Sequence, residues 1–198
     1  MTKPLIKFSD YTDAVFDAME SVDEHSLALV YLTLNEARVN GRTIFVCGNG
    51  GSAAIANHLV CDCMKGVAVD TGNHMHVTSL SCNVPLMTAI ANDIGYEDVF
   101  AKQLEWQAVP GDVLIAISSS GNSPNIYNAL LSAKDVGVKT IAISGFTGGQ
   151  ACAIADHSVH IKSDNYGVIE DVSQSVMHYI AQCLRRNLSN KKPEDIIY

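Results

Sequence analysis

Hydrophobic positions along this chain fall into short uninterrupted runs separated by longer stretches with helical spacing. Between Tyr11 and Arg38 the apolar residues recur at helical spacing without proline, which predicts one or two helices before the first strand. Five apolar, β-rich runs follow, and we predict strands at residues 43–47, 76–80, 113–117, 139–144 and 158–161. Helical stretches separate or follow them near residues 53–64, 84–92, 96–108, 124–137, 149–155 and 168–188. Alternation on this scale predicts an α/β fold in which helices cover both faces of a parallel sheet.

Length and composition narrow the class of protein. The 198 residues suit one domain, which we expect to comprise an N-terminal helical segment (1–40) and an α/β sandwich (41–198). An apolar content of 47% argues against disorder, and no apolar run approaches the roughly 20 residues of a membrane helix. A net charge of −8 disfavours direct binding of nucleic acid. Without a signal-like N-terminus or paired cysteine spacing, we expect a cytoplasmic protein with free thiols.

Two loops rich in small residues follow predicted strands and precede predicted helices. The glycine loop (residues 48–52) reads Gly-Asn-Gly-Gly-Ser, and the serine loop (residues 118–123) reads Ser-Ser-Ser-Gly-Asn-Ser before Pro124. Backbone N–H groups and hydroxyls at a helix N-terminus bind phosphate without many cations. In an open parallel sheet, two such loops can face one crevice. The sequence therefore predicts a site for the phosphate of a sugar phosphate.

The glycine loop also allows a different interpretation. Together with Ala53 it satisfies the pattern G-x-G-x-x-A, and Asp70 follows a possible strand at residues 67–69 near the spacing of a ribose-binding acid. A dinucleotide-dependent dehydrogenase is the competing hypothesis. It leaves the serine loop without a role.

Two helices carry titratable side chains at four-residue steps. His58 and Asp62 share one face of the helix after the glycine loop, and Glu170, Gln174 and His178 share a stripe of the last helix. Two histidines and two carboxylates suit a metal site, with zinc as the first candidate. The same groups could instead move protons between adjacent carbons of a sugar.

Taken together, these motifs resemble the sugar isomerase (SIS) domain, and specifically the sedoheptulose 7-phosphate isomerase (phosphoheptose isomerase) family of bacterial heptose synthesis. The resemblance spans nearly the whole chain. It rests on residues 47–52, on Ala-Asn-Asp-Ile-Gly-Tyr-Glu-Asp-Val-Phe at 91–100, on residues 111–123 and on His178. It implies a doubly wound three-layer sandwich around a parallel five-stranded sheet, and a homotetramer with active sites between subunits.

The resemblance also implies roles for individual residues. Asp62 would be the catalytic base and His178 the acid, and an enediolate intermediate would link the ketose and the aldose. One Zn²⁺ per subunit would bind at His58, Asp62, Glu170 and His178. The substrate would contact Asn49, Gly50, Gly51, Ser52, Asn92, Asp93, Ser118, Ser119, Ser120, Ser123 and Glu170, with the serine loop on the phosphate.

This chain departs from the family pattern at three places. Asp62 stands where the family has glutamate, Glu170 stands where it has glutamine, and Ala-Ala-Ile at 53–55 replaces usually polar residues. A sister family, the DnaA initiator-associating protein, keeps the loops but works as a tetrameric binding protein of the replication initiator. The sequence therefore leaves two functions open, an isomerase and a DnaA-binding protein, and a phosphosugar-sensing regulator is a third.

Overall fold

A computed structural model describes residues 6–189, apart from the side chain of Asp70. The chain begins with two helices, α1 (Phe8–Glu20) and α2 (Glu24–Val39), which meet at a turn. The Asp23 side chain accepts a hydrogen bond from the Ser26 N–H and so caps α2. The predicted stretch 11–38 is therefore two helices.

Strands and helices then alternate. The strands are β1 (Thr43–Gly48), β2 (His76–Ser79), β3 (Val113–Ile117), β4 (Lys139–Ser144) and β5 (His157–His160). The helices between and after them are α3 (Gly51–Cys61), α4 (Ala68–Thr71), α5 (Val84–Asp93), α6 (Ala101–Gln107), α7 (Pro124–Val136), α8 (Gly149–Ile154) and α9 (Tyr166–Leu188). A π-helical segment (Asp62–Val67) joins α3 to α4, and a 3₁₀ turn (Tyr96–Asp98) precedes α6.

All five strands are parallel and lie in the order β2-β1-β3-β4-β5. Successive side chains of β1 and β3 enter opposite cores: Ile44 and Ile115 lie on one face of the sheet, Phe45 and Leu114 on the other. Both faces are therefore buried, as expected for a parallel sheet between two helical layers. The predicted three-layer α/β sandwich with a parallel five-stranded sheet is confirmed.

The sheet order places the two predicted loops side by side. Strands β1 and β3 are neighbours, and Gly48 at the end of β1 pairs in register with Ile117 at the end of β3. The chain leaves this pair in opposite directions, toward β2 and toward β4, so the loops lie at the topological switch point where α/β proteins bind ligands.

The long helix α9 connects the N-terminal helices with the sandwich. Its apolar residues, including Val172 and Ile180, are buried in the core on the same face of the sheet as α3. The Tyr11 hydroxyl on α1 donates a 2.7 Å hydrogen bond to Asp171 on α9, and this bond raises the pKa of Tyr11. Among the helices of residues 6–189, none combines the length and apolarity needed to cross a membrane.

One predicted element is wrong. Residues 67–69, which we considered as a strand preceding a ribose-binding Asp70, are helical: Val67 ends the π segment and Val69 lies in α4. Val67 is fully buried in the core shared with α9, so packing overrides the strand preference of valine. The dinucleotide hypothesis loses the strand on which its acidic residue depended, and the side chain of Asp70 lies outside what the structure describes.

Candidate active site

The serine loop forms the floor of a polar pocket at the switch point. The pocket has a volume of about 150 Å³, and we call it the serine pocket. It is lined by Asn49, Ser52, Ile117, Ser118, Ser119, Ser120, Ser123, Tyr166 and Glu170. None of these lining residues is a lysine or arginine, so an anion bound here would rely on hydroxyls and backbone dipoles.

Backbone contacts hold the serine loop in place. The Gly121 N–H donates to the Ser118 carbonyl at 3.0 Å, and the Ala151 N–H of α8 donates to the Gly121 carbonyl at 2.9 Å. Gly121 has φ +67°, and a Cβ there would collide with the carbonyl oxygen of Gly148. The loop therefore needs glycine at its apex.

The Ser123 hydroxyl of the loop does not cap the helix that follows it. Ser123 is the N-cap of α7, yet its side chain caps no N–H of that helix. Its Oγ instead lies 3.4 Å from Ser118 Oγ, inside the pocket. These two hydroxyls and the N-terminus of α7 thus converge on one volume, as phosphate binding requires.

Two asparagines join the glycine loop to the start of α7. The side-chain amides of Asn49 and Asn125 exchange two hydrogen bonds, each 2.9 Å long, and Tyr96 Oη donates to Asn49 Oδ1 at 3.0 Å. Sequence reasoning missed Asn125 and Tyr96, as well as Tyr166 of the pocket. The position of Asn125 in the first turn after the serine loop was the available signal for it.

A second cluster lies where α3 passes into the π segment beside α9. His58 Nε2 is 3.4 Å from Asp62 Oδ1, and His178 Nδ1 is 3.0 Å from Asp62 Oδ2. The two imidazole rings meet edge to face with centroids 4.9 Å apart. We call these three residues the Asp62 cluster. The structure thus brings together two helices whose proximity the sequence could not establish.

The geometry of the Asp62 cluster fits a bound cation. Asp62 Oδ2 is buried and receives no hydrogen bond from any described residue, so His178 approaches it at ion-pair distance without hydrogen-bond geometry. A buried carboxylate oxygen without a donor is costly, and a cation would satisfy it. One ligand atom from each of the three residues lies within 4.8 Å of the other two. This spacing and the nitrogen and oxygen donors suit zinc.

The orientation of His178 is fixed from its other side. Gln174, one turn earlier on α9, places its amide nitrogen 3.0 Å from His178 Nε2. A hydrogen bond to the outer ring nitrogen fixes the orientation of the imidazole ring. Gln174, which the helical stripe singled out, therefore supports the cluster.

Glu170 does not join the Asp62 cluster. It lies eight residues before His178 on α9, which places the two about 12 Å apart along the helix axis. Its carboxylate lines the serine pocket and lies against Gly51 at the N-terminus of α3. Within one chain, Glu170 is thus a residue of the serine pocket, and its predicted role as a fourth metal ligand stays a prediction.

The remaining predicted contacts are not among the residues that line the serine pocket. Asn92 and Asp93 end α5, are exposed, and share a 2.7 Å hydrogen bond between their side chains. They do not line the serine pocket, and neither do Gly50 and Gly51. Their contacts with a substrate stay a prediction.

Comparisons with known proteins agree with this geometry. Residues 7–145 match a family model described as SIS domain, and a second SIS domain model matches residues 103–188. Phosphoheptose isomerase from Helicobacter pylori (strain Shi470) is 37% identical over 96% of this chain and 100% of its own length. Phosphoheptose isomerase from Geotalea daltonii is 34% identical over 88% of this chain and 92% of its own.

Solved structures give the same result. Phosphoheptose isomerase from Neisseria gonorrhoeae has a TM-score of 0.81 and 29% identity, and the match covers 89% of this chain and 94% of that one. Phosphoheptose isomerase from Francisella tularensis has a TM-score of 0.84 and 26% identity, over 90% and 94% of the two chains. The resemblance drawn from the motifs is confirmed.

Proposed function

This chain belongs to the phosphoheptose isomerase family of SIS-domain proteins, and we infer that it is an aldose–ketose isomerase. Its reaction converts sedoheptulose 7-phosphate to D-glycero-D-manno-heptose 7-phosphate, in the synthesis of heptose precursors for the lipopolysaccharide core. The observation that carries this function is the 3.0 Å approach of His178 to Asp62, with His178 on the same helix as Tyr166 and Glu170 of the serine pocket. Phosphate recognition and proton transfer are thus both available along α9.

The phosphate end of the substrate binds at the serine loop. Ser118, Ser119, Ser120 and Ser123 supply hydroxyls, and α7 directs its N-terminus at the same volume. Asn49, Gly50, Gly51, Ser52, Asn92, Asp93 and Glu170 are the proposed contacts to the rest of the sugar. The hydroxyl-bearing chain then extends toward the Asp62 cluster.

Asp62 and His178 perform the proton transfers. In the ketose-to-aldose direction, Asp62 removes a proton from C1 while His178 donates a proton to the carbonyl oxygen on C2, which gives an enediol. Asp62 then returns a proton to C2 as His178 accepts the proton of the C1 hydroxyl, which leaves an aldehyde at C1. Each residue ends in its starting state, so the cycle balances without a further reactant.

Zinc is the proposed cofactor, one ion per subunit, held by His58, Asp62 and His178, with Glu170 as the family's fourth position. Its support is the unsatisfied Asp62 Oδ2 and the convergence of three ligand atoms. When bound, zinc would act as a Lewis acid that polarises the sugar oxygens.

We also propose that the protein is a cytoplasmic homotetramer that binds neither membrane nor nucleic acid. The alternative, a DnaA-binding protein of the initiator-associating type, is less well supported, because the relatives and solved structures described above are phosphoheptose isomerases.

The proposed mechanism predicts that Asp62→Asn and His178→Ala each lower turnover at least a hundredfold, because general acid–base groups contribute about 10²–10⁴ in rate. An NMR time course of sedoheptulose 7-phosphate with the purified protein measures the aldose anomeric signal, with added zinc and with a chelator. His25→Ala, which removes an exposed imidazole of α2, is the control and should retain full activity.

Bound zinc, measured in the same samples, separates loss of metal from loss of proton transfer. Unchanged turnover in both variants would contradict the mechanism. No conversion by the wild-type protein, with the sugar phosphate still bound, would favour the DnaA-binding alternative.

A further inference from the structure

Tyr166 lines the serine pocket but has no role in the function proposed above. It is the first residue of α9 and is 59% exposed. Its ring packs against the ring of Phe146, with the two centroids 5.0 Å apart and the planes inclined by 60°. No residue in the described part of the chain forms a hydrogen bond with its hydroxyl. A residue of the lining thus carries a hydroxyl that no other described group uses.

Phe146, in the loop after β4, has an uncommon backbone conformation. Its φ is +47°, and among the residues that the structure describes it is the only one other than glycine with a positive φ. This left-handed region is strained for a residue with a side chain, and such strain is concentrated at ligand-binding sites. Glycine would adopt the conformation without strain. The benefit of phenylalanine at this position therefore lies in its ring.

Two hydrogen bonds hold the backbone of Phe146 in this conformation. Its N–H donates to the Ser163 carbonyl at 2.7 Å. His160 Nε2 donates to the Phe146 carbonyl at 2.9 Å, since a carbonyl oxygen can only accept. His160 ends β5, and Ser163 lies in the segment that leads into α9. The loop is therefore fixed to the same segment of the chain that positions Tyr166.

The loop after β4 also contacts the serine loop. The N–H of Gly145, directly before Phe146, donates to the Ser119 carbonyl at 2.8 Å. A Cβ at Gly145 would collide with Ile169, so this residue lies directly against α9. Residues 145 and 146 thus connect the serine loop with the first turns of α9. Through this connection, the ring of Phe146 fixes Tyr166 relative to the serines of the pocket.

We propose that Tyr166 is a further ligand-binding residue, whose hydroxyl donates a hydrogen bond to the phosphate on the serine loop, and that Phe146 is the residue that positions it. The inference rests on the proposed function for the seat of the phosphate, and it adds one donor together with its support. A phosphate oxygen is an ionised acceptor, so a hydroxyl that reaches it forms a strong hydrogen bond.

Tyr166→Phe tests the hydroxyl alone, because it keeps the ring that contacts Phe146. A hydrogen bond to a charged group changes an affinity by about tenfold or more. We therefore expect Tyr166→Phe to raise the Kd of glycerol 3-phosphate about tenfold, measured by ligand-observed NMR titration. Tyr179→Phe is the matched control: Tyr179 is another exposed tyrosine of α9 and does not line the pocket, so its removal should leave the Kd unchanged.

A double-mutant cycle separates positioning from a general effect on the fold. Phe146→Ala should raise the Kd about threefold in the wild-type background, because aromatic pairs change an equilibrium by roughly twofold to tenfold. In the Tyr166→Phe background the same substitution should leave the Kd unchanged, since the hydroxyl that Phe146 positions is already absent. Phe146→Tyr keeps the ring and should retain the wild-type Kd.

Each outcome has a distinct meaning. An unchanged Kd in Tyr166→Phe overturns the inference even if Phe146→Ala fails to fold, and it leaves the proposed function intact. An equal loss of affinity from Phe146→Ala in both backgrounds overturns the positioning role. Failure of the wild-type protein to bind glycerol 3-phosphate removes the proposed phosphate seat, and the inference falls with it.

Discussion

At the scale of single residues, glycines determine how closely the backbone segments around the serine pocket approach one another. Gly121 and Gly72 both have φ +67°, but a Cβ would meet the Gly148 carbonyl at the first position and no atom within 4 Å at the second. An alanine at Gly72 therefore measures the cost of the left-handed backbone alone, and an alanine at Gly121 measures that cost together with the cost of the collision.

We predict that Gly121→Ala lowers the free energy of unfolding by about 2–4 kcal/mol, from about 1 kcal/mol of backbone strain and 1–3 kcal/mol of overpacking. Gly72→Ala, the matched control, should cost only about 1 kcal/mol. Urea unfolding curves measure both. Equal losses would show that the contact with Gly148 contributes nothing.

At the scale of elements, α9 contributes to both parts of the site, since Tyr166 and Glu170 line the serine pocket and His178 lies in the Asp62 cluster. Its first turn depends on Asn165, whose side-chain oxygen accepts hydrogen bonds from the N–H groups of Gly167 at 3.0 Å and Val168 at 3.4 Å. The end of α9 nearest the serine pocket is thus held by one cap.

We predict that Asn165→Ala costs about 1 kcal/mol of stability, because it removes the cap of α9. It should also weaken binding of glycerol 3-phosphate, since Tyr166 and Glu170 of the pocket follow the cap directly. Asn165→Asp keeps the acceptor and should retain stability. Thermal unfolding and an NMR titration check both effects, and an unaltered melting temperature for the alanine variant would refute the prediction.

The same elements show what the sequence could predict. The strands β1 and β3 were predictable from the sequence. Buried parallel strands are continuous apolar runs, and the loop that follows each of these two strands is rich in small residues. The helix at residues 67–69 was not predictable, because local preference for a strand is weak beside burial against α9.

For the site, spacing predicted which side chains share a helix face but not which helices touch. The contact of Asp62 with His178 depends on how α3 and its π segment pack on α9, and no periodicity contains that information. The separation of Glu170 from His178 was available in principle, since eight helical residues span about 12 Å. Residues that the sequence did not predict, such as Asn125, contact loop residues far away in the chain, and no regular spacing in the sequence indicates such contacts.

At the scale of the whole molecule, several large apolar side chains of the two N-terminal helices are exposed. Phe8 and Phe16 on α1 are 78% and 60% exposed, and Leu32 and Val39 on α2 are 57% and 64% exposed. Several large apolar side chains that remain this exposed in one chain are typical of a surface that another subunit covers. These four residues, the N-terminal apolar surface, support the proposed homotetramer.

We predict that Phe16→Glu dissociates the tetramer into smaller species, because burying a carboxylate in an apolar interface without a partner is unfavourable. Leu131→Glu is the control, since Leu131 is 40% exposed on α7, which covers the opposite face of the sheet. Light scattering after size-exclusion chromatography measures the mass of each variant. Circular dichroism of the same fractions shows whether the chain is still folded, so that dissociation is separated from unfolding. A tetramer that survives Phe16→Glu but not Leu131→Glu would move the interface to the α7 side of the sandwich, and the exposed phenylalanines of α1 would then need another explanation.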